Sequence, residues 1–107
     1  MEITRDFRET IRERAQREPA FRQALLREGV ELFLGGDFVA GKSVLSNYIN
    51  ATIGYIELAR ITDIPLQSLQ RMFGSKGDPR AAKLFTVIAA LLDAEGVSAV
   101  IHLSPSK

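Results

Sequence analysis

Cysteine and tryptophan are absent from this sequence, histidine occurs once, and neither sign of charge prevails, with 14 Lys and Arg against 13 Asp and Glu. Without cysteine there is no disulfide framework, no thiolate metal ligand and no thiol nucleophile, a composition suited to a reducing cytoplasm. The only histidine, His102, sits in a short apolar-alternating stretch, where neither a triad nor a histidine metal cluster can be assembled around it. Acidic residues are scattered, with no spacing that sets two of them across a substrate. We therefore expect a non-enzyme that needs no cofactor. No apolar run approaches the roughly 20 residues that span a bilayer, and the chain is charged from Glu2 onward, so neither export nor membrane insertion is expected. The formal net charge of +1 creates no global field, so any polyanion must be drawn by a local patch.

What is present is enough for one core. A chain of 107 residues, 46% hydrophobic and 25% charged, has the length and composition of a single globular domain rather than a disordered segment. Residues 1–36 read as two amphipathic helices. Ile3, Phe7 and Ile11 recur among Arg5, Arg8, Arg12 and Arg14, a pattern more often solvated and ion-paired with Glu9 and Glu13 than nucleic-acid binding. Glu18-Pro19 breaks that helix and starts a second, since proline suits a first turn. The second helix carries a broad apolar face of Phe21, Leu25, Leu26, Val30, Leu32 and Phe33, and such faces also dock into grooves on partner proteins.

Residues 37–96 read as the main helical body. Gly35-Gly36-Asp37 ends one helix and caps the next, in which Val44, Leu45, Tyr48, Ile49, Thr52 and Ile53 recur at helical spacing. Beyond Gly54 come two short helices joined by a tight corner at Asp63 and Ile64, where a short polar side chain tolerates left-handed backbone and an apolar neighbour plugs the angle. Leu58 and Ala59 belong to the buried side of the first, and Leu69, Met72 and Phe73 supply that of the second. Gln67, Gln70 and Arg71 point outward. Glutamine pairs bidentately with adenine and arginine with guanine in a major groove wide enough for a helix. The loop Gly74-Ser75-Lys76-Gly77-Asp78-Pro79-Arg80 adds glycines, a hydroxyl and cations suited to phosphate. Leu84, Val87, Ile88, Leu91 and Leu92 then make a last helix ending at Gly96.

Residues 97–103 alternate Val97, Ala99, Ile101 and Leu103 with Ser98 and His102, which predicts a half-buried strand. A lone strand leaves its backbone edge unpaired, and the same strand of a second copy across a two-fold axis would satisfy it. The expected fold is therefore all-α, a small helical bundle containing a helix-turn-helix, with a short C-terminal β-strand and a homodimer built on it.

Residues 54–103 resemble the helix-turn-helix antidote proteins of bacterial and prophage addiction modules, relatives of the lambda-repressor-like regulators. Leu58-Ala59-Arg60-Ile61-Thr62 matches their L-A-R-x-T element, Ser68-Leu69 with Phe73 their second helix, residues 74–79 their G-x-x-x-P loop, and residues 97–103 their terminal strand. Asp63 stands where a corner glycine is usual, and Pro65 where a capping serine is. The resemblance implies a cytoplasmic, dimeric transcriptional repressor on a palindromic double-stranded DNA operator, with a small toxin as its protein partner. In that setting Gln67, Gln70 and Arg71 would read bases, Ser75, Lys76 and Arg80 would contact phosphate, and Leu58, Ala59, Ile64, Leu69 and Phe73 would hold the corner. A protein-interaction module without DNA contact is the alternative.

A further alternative is carried by Gly36-Asp37-Phe38-Val39-Ala40-Gly41-Lys42-Ser43, which fits the phosphate-cradling pattern G-x-x-x-x-G-K-[ST] letter for letter. That pattern demands a preceding strand and a parallel sheet. Here the candidate strand, residues 30–34, continues a helical pattern, so the expected structure is a helix start at Asp37 with Lys42 exposed.

Overall fold

A computed structural model describes residues 5–106, the Arg5 side chain excepted; Ile3, placed on the first apolar stripe, lies outside them. Six helices follow in order: α1 (Arg5–Arg17), α2 (Pro19–Leu34), α3 (Phe38–Ala51), α4 (Tyr55–Thr62), α5 (Leu66–Met72) and α6 (Ala81–Glu95).

Their ends follow from local chemistry. Glu18 is extended and Pro19 opens α2, where its missing amide costs nothing. At the end of α2, Gly36 turns left-handed with φ 86°; its amide bonds Phe33 O and the Asp37 amide bonds Leu32 O, which satisfies two terminal carbonyls in the Schellman manner. Asp37 then caps α3 through its side chain on the Ala40 amide at 3.2 Å. The same closure ends α6, where Gly96 (φ 75°) bonds Asp93 O and Val97 bonds Leu92 O.

The core gathers around α3. Leu45 and Ile49 are wholly buried together with Leu26 of α2, Leu58 of α4, Leu69 of α5, and Val87 and Leu91 of α6. The helices α2 and α3 approach so closely at Gly29 that a Cβ there would lie 2.7 Å from Leu45 Cδ2. Ala15 is the fully buried residue of α1, while Phe7 stays 53% exposed, so α1 meets the bundle through its C-terminal half. Two of its arginines have partners: Arg12 donates to Asn50 O of α3 at 3.0 Å, and Arg14 pairs with Glu18 and lies over the Phe21 ring.

One junction joins four helices. Glu95 of α6, its side chain only 3% exposed, accepts from Tyr48 Oη at 2.5 Å and from Arg22 Nε at 2.8 Å, and Arg22 also donates to Ala15 O. Burial first, then the hydrogen bond to Glu95 and its negative charge, push the Tyr48 phenol well above its ordinary value.

The predicted C-terminal β-strand is corrected. Beyond Gly96 the described residues are irregular and no strand exists among them to pair with. Nor is the alternating set half-buried: Val97 is partly buried, but Ala99, Ile101 and Leu103 are exposed; a strand is defined by its ladder, and a bundle of helices offers no edge. Instead residues 97–102 border a groove of about 720 Å³ against α2, lined by Ala24, Leu26, Val30 and Leu92. Val100 and Leu103 stand almost fully in solvent.

Candidate nucleic-acid interface

The corner between α4 and α5 is built by four residues. Asp63 adopts φ 57°, ψ 27°, the left-handed region, and it is the one non-glycine residue among those described with positive φ; a short polar side chain bears this at modest strain. Thr62 clasps the corner, its hydroxyl donating to Leu58 O at 2.7 Å and accepting from the Ile64 amide at 3.3 Å. Ile64 plugs the angle, buried to 7% exposure. Pro65 takes the cap position of α5, one residue before the first helical turn, and gives no side-chain cap.

Beneath the corner, Leu58 and Leu69 are wholly buried, Phe73 is buried, and Ala59 packs against the same cluster. Tyr55 clamps both helices to the body. Its ring meets Phe73 at 6.2 Å between centroids, and its hydroxyl lies 2.8 Å from Ser46 Oγ of α3. Burial raises the Tyr55 pKa, opposed in part by the Ser46 hydrogen bond.

Above it, Gln67, Gln70 and Arg71 are exposed, and their spacing of three and four residues puts them on one face of α5. Ser75, Lys76 and Arg80 are exposed in the following loop. No ion pair among the described residues involves Arg71, Lys76 or Arg80. In contrast, Arg60 of α4 pairs with Glu57. The six residues singled out in the sequence are thus all exposed, while the five assigned to the corner are packed in or against the core beneath it.

That loop folds back on α5. The Gly77 amide bonds Gly74 O, and a Cβ on Gly77 would fall 1.8 Å from Arg71 O, so only glycine fits there. Lys42 completes the loop from beneath: its Nζ donates to Gly74 O at 3.0 Å and to Gly77 O at 2.7 Å.

Lys42 is therefore a second correction, for it is half-buried and engaged rather than exposed. The string at residues 36–43 has no strand before it among the described residues. Its Gly41 is buried inside α3, where a Cβ would press on the Phe33 ring at 3.0 Å, and its lysine is bound to two carbonyls. The roles of Lys42, Tyr55, Ser46 and Thr62 escaped the sequence reading; Thr62 had entered it only as part of the L-A-R-x-T match, and the signal at Lys42 suggested a different chemistry.

No family model matches the chain, and neither a curated protein nor a solved structure matches it. Among the described residues no helix is long and apolar enough to cross a membrane.

Proposed function

We propose that this chain is a sequence-specific DNA-binding transcriptional regulator of the antidote and autorepressor type. One observation carries the reading: Gln67, Gln70 and Arg71 lie together on the exposed face of a short helix whose underside is anchored, and unpaired cations follow directly in the adjoining loop. Amide and guanidinium groups at that spacing suit the edges of adenine and guanine in the major groove. Gln67 and Gln70 read bases; Arg71 reads guanine or holds a phosphate; Ser75, Lys76 and Arg80 hold the backbone and set the register. Two copies on a palindromic operator would present two such helices to successive grooves. The exposed Val100, Ile101 and Leu103 are the surface we assign to contact between the copies.

Selection from a randomised duplex library tests this directly. The expected result is an enriched, two-fold symmetric sequence whose binding weakens steeply with salt. Failure to retain any duplex at low ionic strength overturns it. The second reading, a protein-interaction module, is favoured by Leu34, Phe38 and Val39, which stand 60%, 60% and 80% exposed around the α2–α3 turn, an apolar surface of the kind partners cover. Capture of a small toxin through this surface, together with absent DNA binding, would favour it.

A further inference from the structure

We propose that Lys42 is a positioning residue for DNA binding: by holding the Gly74 and Gly77 carbonyls inward, it leaves the backbone amides of Ser75 and Asp78 turned outward, each free to donate to the phosphate backbone of the nucleic acid. The inference rests on the DNA-binding reading and adds to it a contact that no side chain supplies.

The argument begins with the peptide bond. A planar trans peptide sets the carbonyl of one residue and the amide hydrogen of the next on opposite sides, and no cis bond occurs among the described residues. Both carbonyls are drawn to one ammonium, at 3.0 and 2.7 Å. The amides of Ser75 and Asp78 are thereby aimed away from α3, and neither donates to another backbone group among the described residues. Those amides flank Lys76, and Arg80 lies two residues further on, both exposed. A phosphate that meets this loop finds a fixed amide dipole with a mobile cation close to it in sequence. Fixed donors lose little entropy on binding, which is their advantage over a lysine alone.

Two features show that the loop is constructed rather than incidental. Gly77 occupies a place where any Cβ would collide with Arg71 O, so the loop is pressed onto the end of α5. Lys42 then spans 32 and 35 residues of sequence to reach it. The ammonium also offsets the negative end of α5, where the unpaired carbonyls of a helix gather. Lys42 itself is bound to the loop carbonyls and acts through them.

The test compares wild type with Lys42→Met and Lys42→Arg on two duplexes, the selected operator and a random sequence of equal length. Lys42→Met is expected to weaken both by about tenfold or more, the scale for losing hydrogen bonds to a charged group, with the base preference kept. Hydrogen exchange at the bonded Gly74 and Gly77 amides of the free variant should speed up while the melting temperature holds. Lys42→Arg, which keeps a cation with several donors, should recover most of the affinity. If Lys42→Met unfolds the chain, Lys42→Gln carries the same comparison. Wild type that binds while Lys42→Met binds equally well overturns the inference and leaves the DNA reading intact; so does a variant that changes which bases are preferred. Wild type that binds no duplex overturns the DNA reading, and this inference with it.

Discussion

At the junction of α1, α2, α3 and α6 charge is enclosed and partnered, whereas along α5 and its loop charge is left in solvent. Glu95 is 3% exposed and receives two donors, Tyr48 and Arg22, and no described buried side-chain nitrogen or oxygen lacks a partner. Arg71, Lys76 and Arg80 are exposed and have no ion pair among the described residues. The first arrangement costs desolvation and returns a fixed packing of helices; the second costs nothing in folding and keeps its hydrogen-bonding capacity for something else. A difference in partnering, more than in residue type, separates structural arginine from arginine available for recognition.

The largest expected effect breaks the enclosed side. Glu95→Ala strips the acceptor from Tyr48 and Arg22 and should lower stability by about 3 kcal/mol, toward the lower end for a broken buried pair because Arg22 retains some access to water. Urea unfolding measures it, and a loss below about 1 kcal/mol would show that the junction is decorative. Next comes Gly77→Ala, where the added methyl meets Arg71 O and the backbone must move; a loss of about 1–3 kcal/mol is expected in thermal unfolding, accompanied by weakened DNA binding.

On the open side, Arg71→Ala should leave stability within about 0.5 kcal/mol but weaken operator binding by about 1–3 kcal/mol, with a smaller loss on random duplex. Equal losses on both would move Arg71 from base reading to the phosphate backbone. Alkaline titration sharpens the contrast further. Tyr48 and Tyr55 have raised pKa values in the folded state, so their contribution is complete below the ordinary phenol value of about 10 and is lost as pH rises above it. Stability should thus fall above pH about 10, and Tyr48→Phe should flatten that fall. The smallest effect is Glu18→Ala, which removes an exposed partner of Arg14 and should change stability by less than about 0.5 kcal/mol.

The helices were legible because their signals are local. Pro19, Gly36, Gly54 and Gly96 punctuate the chain within a few residues of the helix ends, and the apolar stripes of α3 and α6 repeat at the helical period. The corner at Asp63 was legible for the same reason, since its backbone conformation depends on the residue that adopts it. The terminal strand was misread because alternation is only a local pattern, and whether a segment finds a partner edge is decided elsewhere in the fold; Ala99, Ile101 and Leu103 stay exposed. For Lys42, the motif around it told nothing about its partners, which lie beyond any local window.

The sequence by itself determined where helices begin and end, which faces are apolar, and that Gln67, Gln70 and Arg71 share one side of a helix, because dihedral preference and periodicity act over a few residues. Only the tertiary structure decided that Lys42 reaches the loop after α5, that Glu95 draws in Arg22 and Tyr48, and that residues 97–103 find no ladder. Those outcomes join positions 32 to 73 residues apart or depend on whether an edge exists anywhere in the fold, and close approach of distant segments is set by how whole helices pack.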